Sequence, residues 1–226
     1  MRLDGVIFDL DGTLGDTLPV CFAAFRRALK GYSSHHYSEE DIAARFGPSE
    51  DGMLQRMVPE RWQACLEAYL AAYEEESARE DRLFPGIDKA LRLLAERGVA
   101  LAIVTGKGAR SAAISLRHLK LGEFFDIVET GSPAGSVKPL AIKSVLAKWG
   151  AAPHRVAYVG DVPTDIAAAR EAGIIPLGAA WAPTSSADEL RALSPLETFA
   201  SVESFIRWIE EHVESNTGPH GPRPMK

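Results

Sequence analysis

The chain has 226 residues, with 25 Lys and Arg against 31 Asp and Glu, for a formal net charge of −6. A hydrophobic fraction of 46% and a charged fraction of 25% are ordinary globular values, which excludes a disordered or collagen-like chain. The acidic balance argues against nucleic acid as a general partner, because phosphate backbones demand a basic face, but leaves room for a small phosphorylated ligand held by a local cation.

The N-terminal segment MRLDGVIFDLDG carries a short apolar run interrupted by acids, unlike a signal peptide. No apolar run approaches the ~20 residues needed to cross a bilayer, so a cytoplasmic protein with no membrane partner is expected. Cys21 and Cys65 are too few for a disulfide framework and read as two free, partly buried thiols in a reducing compartment.

Leu3–Phe8 is a continuous apolar run of the kind found in strands buried on both faces. From about Asp16 to Phe84 the pattern is helical throughout, with Pro19–Lys30, Glu39–Phe46, Gly52–Met57 and Arg61–Ser77 as four helices and no strand between them. Pro85 and Gly86 mark a return to alternation. Ile87–Arg97 is a helix closed by Gly98, Val99–Val104 a strand, Leu140–Trp149 a helix closed by Gly150, Arg155–Val159 a strand, Asp165–Ala172 a helix closed by Gly173, and Ile174–Leu177 a strand. Strand and helix in alternation predict an α/β fold, a doubly wound parallel sheet of Rossmann-like type with a helical insertion. The core is expected over residues 1–15 and 85–214, the insertion over 16–84, and a disordered tail rich in Gly and Pro over 215–226.

Ligands of an open α/β sheet bind beyond the carboxyl ends of the strands. At those ends stand Asp9, Asp11, Gly12 and Thr13, then Thr105 and Gly106, then Asp161 and Asp165, with Lys138 ahead of the Leu140 helix. Four carboxylates on two loops make the hard oxygen set that Mg²⁺ prefers. One acid of the first pair can attack phosphorus as a nucleophile, and the other can protonate the leaving oxygen and later deprotonate water. Lys138 and the Thr105 hydroxyl can neutralise and position the phosphoryl oxygens. Gly12 lets the backbone turn tightly beside the phosphate, and Gly12, Thr13 and Gly106 are the candidate substrate-binding residues on these loops.

In order along the chain, FDLDGTL, VTG, VKP and VGDVPTD resemble the four motifs of the haloacid dehalogenase superfamily of phosphohydrolases, a resemblance that spans roughly Leu3 to Leu177. It implies that Asp9 is nucleophile and metal ligand, that Asp11 is the general acid/base and reaches the metal through its backbone carbonyl, and that Thr105 and Lys138 hold the phosphoryl group. It implies further that Asp161 ligates the metal directly, with Asp165 doing so directly or through water, and that the helical insertion is the small cap of this family. Asp11 sets the chain apart from the true dehalogenases, which lack that acid. Thr13 leans away from the sugar-phosphate mutases, which usually carry Val there. The phosphonate-cleaving branch, which needs a cap lysine for a Schiff base, is disfavoured because Lys30, the one lysine before Leu83, has an unsupportive context. Arg45, Phe46, Gly47, Pro48, Ser49 and Glu50 are similar to the specificity loop of phosphoglycolate phosphatases and pyrophosphatases, and Arg45 is expected to pair with a carboxylate or second phosphate of the substrate.

The expected partner is therefore a small phosphorylated metabolite, the expected cofactor Mg²⁺, and the expected state a monomer or homodimer. A pyrophosphatase or phosphomutase is the neighbouring alternative. A receiver-type signalling module or a non-catalytic phosphate-binding protein is the distant one. Lys107 and Arg110 read as the solvated start of a helix, His35 and His36 as loop residues without a second ligand set, and Trp149, Trp181 and Trp208 as packing residues.

Overall fold

A computed structural model describes residues 1–80 and 82–216 of the chain. Six parallel strands, β1 (Gly5–Phe8), β2 (Ala100–Val104), β3 (Ile127–Glu129), β4 (Val156–Gly160), β5 (Ile175–Ala179) and β6 (Glu197–Phe199), form one sheet in the order β3-β2-β1-β4-β5-β6. This is the doubly wound α/β arrangement expected from the alternating pattern. Successive residues of a strand face opposite sides. Accordingly Val6 and Phe8 of β1 enter one apolar layer, beneath α5 (Ile87–Glu96) and α10 (Val202–His212). Ile7 enters the other layer, beneath α7 (Lys138–Trp149) and α8 (Pro163–Glu171).

The order of strands reverses between β1 and β4, and a crevice at such a reversal is where doubly wound sheets place their ligands. Both strands are fully buried and both end in the acidic loops singled out above.

Between β1 and α5 lie α1 (Leu18–Leu29), α2 (Glu39–Ala43), α3 (Glu50–Met57) and α4 (Trp62–Glu80). They share an apolar cluster of their own, built on Phe25, Leu29, Ile42, Leu54, Tyr69 and Tyr73. Helix α2 stops at Ala43, earlier than Phe46, and α3 begins at Glu50, earlier than Gly52. The strands β3 and β6, absent from the sequence reading, are three residues long at the two edges of the sheet and only partly buried, so neither shows an apolar run. The helices α6 (Ala109–His118), α9 (Ala187–Ala192) and α10 also extend that reading.

Two residues at the start of the expected tail pack against the core. Asn216 is buried, donating from Nδ2 to the Leu3 carbonyl at 2.7 Å and from its backbone to the Arg97 carbonyl at 2.7 Å, while Arg2 donates to its Oδ1 at 3.1 Å. A buried amide with its donors and acceptor satisfied is an anchor, so Ser215 and Asn216 belong with the folded body. The rest of the expected disordered tail, 217–226, lies outside the described residues. Cys21 and Cys65 are free and buried, and among the described residues no helix is long and apolar enough to cross a membrane.

Candidate active site

The strand ends bring three carboxylates and one ammonium into a single buried cluster. Asp9 follows β1, Asp161 follows β4, Asp165 lies in the first turn of α8 and Lys138 opens α7. Oxygen atoms of Asp9, Asp161 and Asp165 lie within 4.8 Å of one another. Lys138 donates from Nζ to Asp9 Oδ2 at 2.9 Å and to Asp165 Oδ1 at 2.6 Å. Asp165 is fully buried and also receives the backbone N–H of Val162 at 3.3 Å, so it caps its own helix while facing the lysine. Its Oδ1 also accepts from the Tyr158 hydroxyl at 3.4 Å.

Electrostatics follow from this crowding. Burial pushes the Asp9 carboxyl up to about 6 despite the opposing pull of Lys138, with Asp165 and Asp11 adding to the rise. Asp161 is held well above the usual carboxylate range, by burial first and then by Asp165 and Asp9, against the pull of the Thr13 hydrogen bond and Lys138. Burial alone would lower the Lys138 ammonium, yet Asp165 and Asp9 outweigh it and hold it well above the ordinary lysine value. Three carboxylates face one ammonium, so their full ionisation would leave two negative charges uncompensated, and Asp9 Oδ1 is buried with no hydrogen-bond partner. An all-oxygen set with that deficit and an unclaimed oxygen fits a hard divalent cation such as Mg²⁺.

Gly12 and Thr13 serve this cluster from below. Gly12 has φ +78°, and a Cβ there would stand 2.2 Å from Asp161 Oδ2, so only glycine lets the loop pass this close to the carboxylate. Thr13 is fully buried, donating its hydroxyl to Asp161 Oδ1 at 2.9 Å, and its carbonyl accepts from Trp181 Nε1 at 2.9 Å. Its recorded side-chain contact is thus to Asp161. Thr105 is buried at the end of β2, its Oγ1 accepting the Lys107 backbone N–H at 3.2 Å, which leaves the hydroxyl proton to be donated elsewhere. Gly106 is half-buried, and a Cβ there would meet open space.

Asp11 stands apart from the three buried acids. Its Oδ1 accepts from the Thr17 hydroxyl and lies 3.2 Å from Lys107 Nζ. Lys107 corrects the sequence reading: it is 4% exposed and not the solvated start of a helix. Its ammonium is 3.7 Å from Glu50 Oε1 and 4.5 Å from the Tyr73 ring centre. Burial would lower it, but Asp11, Tyr73, Cys21 and Glu50 hold it well above the ordinary lysine range. Arg110 is exposed as expected, paired with Glu67. Glu50, expected only as the last residue of the loop that Arg45 opens, is the other side chain at this junction. It is 6% exposed at the start of α3, accepting from the Gly108 N–H at 2.6 Å and the Ser111 hydroxyl at 2.6 Å. The sequence signals were a lysine between two glycines directly after a strand, and an acid closing the loop that Arg45 opens.

Arg45 is not brought to the cluster. It is exposed, donates to the Asp41 carbonyl and lies over the Tyr37 ring at 5.3 Å, so its recorded contacts stay within the helical insertion.

A family model described as haloacid dehalogenase-like hydrolase matches residues 6–179. The chain is 32% identical over 186 residues to the pyrophosphatase PpaX of Anoxybacillus flavithermus, covering 80% of this chain and 85% of PpaX. It is 33% identical over 209 residues to IndB of Dickeya dadantii, described as a probable phosphatase, covering 87% and 90% of the two chains. Among solved structures, a predicted phosphoglycolate phosphatase from Haemophilus somnus superposes with a TM-score of 0.79 at 23% identity, covering 92% of this chain and 98% of that one, which is a likeness of fold.

Proposed function

Because the chain belongs to the haloacid dehalogenase-like hydrolases, we propose that it is a Mg²⁺-dependent phosphatase that hydrolyses a small phosphate monoester through an aspartyl phosphate on Asp9. The observation that carries this reading is the cluster of three buried carboxylates against one ammonium, with Asp9 Oδ1 unpartnered at the sheet's reversal point.

Asp9, Asp161 and Asp165 would hold the cation, joined by the Asp11 backbone carbonyl. Once bound, Mg²⁺ supplies charge neutralisation for the transferring phosphoryl group. Asp9 attacks phosphorus through a carboxylate oxygen, forming the acyl-phosphate bond as the ester P–O bond breaks. Asp11 gives its proton to the departing alkoxide oxygen and in the second half takes one from the water that cleaves the acyl phosphate. Lys138, bonded to Asp9 and Asp165, would hold a phosphoryl oxygen beside the nucleophile. Thr105 contributes its free hydroxyl proton, and the backbone at Gly12 and Gly106 leaves room for the phosphate. Helices α1–α4 we read as a cap whose closure would exclude water from this crevice. The two free thiols suit a cytoplasmic setting.

A second reading, hydrolysis of a diphosphate, is favoured by the PpaX relatives. A phosphate-release screen over phosphoglycolate, pyrophosphate, sugar phosphates and nucleotides, with Mg²⁺ and with EDTA, decides between them. Turnover of a monoester that EDTA abolishes supports the proposal. Release from pyrophosphate alone favours the second reading. Turnover of no phosphate compound, or turnover that EDTA leaves unchanged, overturns both.

A further inference from the structure

We infer that Glu50, on the helical insertion, is a positioning residue that holds Lys107 against Asp11 and thereby fixes Asp11 for proton delivery to the leaving group. The inference rests on the reading of Asp11 as general acid.

The geometry runs in one line from insertion to core. Glu50 is the first residue of α3, where an acid facing water would satisfy its own helix dipole. Its carboxylate instead turns away from solvent and reaches the start of a different helix, α6, accepting from Gly108 N–H and Ser111 Oγ. Tyr69 closes the other side, its hydroxyl 3.5 Å from Oε1. Between these groups lies the Lys107 ammonium, whose side chain is 1% exposed. A buried ammonium needs anionic partners, and Lys107 has two, Glu50 from the insertion and Asp11 from the β1 loop. With Glu50 in place, Lys107 Nζ stays at Asp11 Oδ1, the same oxygen that receives the Thr17 hydroxyl. The Thr17 hydrogen bond and the Lys107 ion pair therefore both fall on Oδ1, which fixes the rotation of the Asp11 carboxylate and leaves Oδ2 outside both contacts.

The start of α3 is fastened to the core on its other side too. Ser49 N–H donates to the Ser132 carbonyl at 2.9 Å, and a Cβ on Gly52 would stand 2.3 Å from the Pro133 carbonyl oxygen. The docked α3 and the acid/base are thus connected through the buried Lys107 ammonium, so that loss of the docked α3 would also loosen that contact to Asp11.

A protonating group matters most when the leaving alkoxide is poor, and little when it leaves easily as a phenolate. The test compares kcat/KM, which reports phosphoryl transfer to Asp9, for an alkyl phosphate and for p-nitrophenyl phosphate. Glu50→Gln is nearly isosteric. Its amide oxygen can keep the Gly108 N–H and its NH₂ the Ser111 oxygen, while the charge facing Lys107 is lost. Expected is a loss of about tenfold or more on the alkyl ester and no more than about twofold on p-nitrophenyl phosphate. Lys107→Met should give the same discrimination, and the double variant should lose no more than Lys107→Met alone. Equal losses on both esters, or none, overturn the inference while leaving the phosphatase reading intact. A wild-type protein that turns over neither ester overturns both. Should Lys107→Met fail to fold, Glu50→Gln decides alone.

Discussion

The β1–β4 edge of the sheet and the helical insertion carry their polar residues on different terms. At the sheet edge, Asp9 and Asp161 are placed by strands whose every residue is buried, and Lys138 and Asp165 by the first turns of helices packed on that sheet. In the insertion, α1–α4 bury an apolar cluster among themselves, and their polar residues meet the core where α3 docks and along α4, whose Glu67, Tyr73 and Glu74 pair with Arg110, Ser115, Arg117 and His118 of α6. The first kind of site is made by topology and survives as long as the sheet does. The second depends on a contact between two separately packed parts, and so can be lost while both remain folded.

The largest expected effect tests the first half of that contrast. Asp9→Asn removes the proposed nucleophile without changing side-chain shape, and should lower phosphate release by about 10³-fold or more. Circular dichroism and melting should stay close to wild type, since Lys138 keeps Asp165 and the loss of one of three crowded carboxylates relieves their repulsion. Activity within tenfold of wild type, with deamidation excluded by mass spectrometry, would remove the proposed chemistry from β1.

Lys138→Met should be felt next, and in stability. It leaves Asp9 and Asp165 buried with no ammonium between them. Breaking a buried pair in this way costs about 3–5 kcal/mol, or on the order of 10 °C in Tm for a chain of this length. Added Mg²⁺ should recover part of the loss, because the same carboxylates would then find a cation. A melting temperature equal to wild type in EDTA would show that the cluster is not the electrostatic unit described here.

Gly52→Val tests the second half. Its side chain would collide with backbone atoms of Pro133, and overpacking of this sort costs about 1–3 kcal/mol if the helix cannot move. The clash is relieved if α3 shifts off the Pro133 loop. Expected is a modest fall in Tm with a fall in kcat of about tenfold, as Glu50 is carried off Lys107. Gly122→Ala, where a Cβ meets nothing within 4 Å, is the control and should change neither. Unchanged kcat in Gly52→Val would mean that docking of α3 and catalysis are independent.

The same contrast explains what could be read from the sequence. Strands β1, β2, β4 and β5 announce themselves as apolar runs because they are buried on both faces, and the acids that follow them then fall at one edge by geometry alone. Asp9, Asp161 and Asp165 were legible for that reason, and Lys138 as the residue standing ahead of the Leu140 helix in the VKP motif. The edge strands β3 and β6 were not, being short and half wet. Lys107 looked like a solvated helix start because nothing local shows that Glu50, 57 positions earlier, and Tyr73 enclose it. Asn216 looked like the beginning of a polar tail because its partners, Leu3, Arg97 and Gly98, are remote in sequence. A polar residue placed by its own strand can be read locally; one placed by docking cannot.

The smallest effect is expected at Arg45, and it asks whether the insertion reaches the substrate at all. Its guanidinium rests on the Asp41 carbonyl and over Tyr37, and Phe46 beside it stacks on Phe22. Those contacts hold the side chain to the insertion's own surface, and they would have to break before Arg45 met a substrate anion. Arg45→Ala removes a cation–π contact worth about 0.5–1 kcal/mol at an exposed site, so Tm should shift by roughly 1–4 °C. For phosphate esters without a second anion, kcat/KM should change by less than about threefold, because nothing in their recognition would involve this residue. A tenfold loss confined to substrates with a distal carboxylate or phosphate would instead place Arg45 in the site. The insertion would then contribute to recognition through a side chain that leaves its resting contacts, and the separation between the two regions would hold for chemistry but not for specificity.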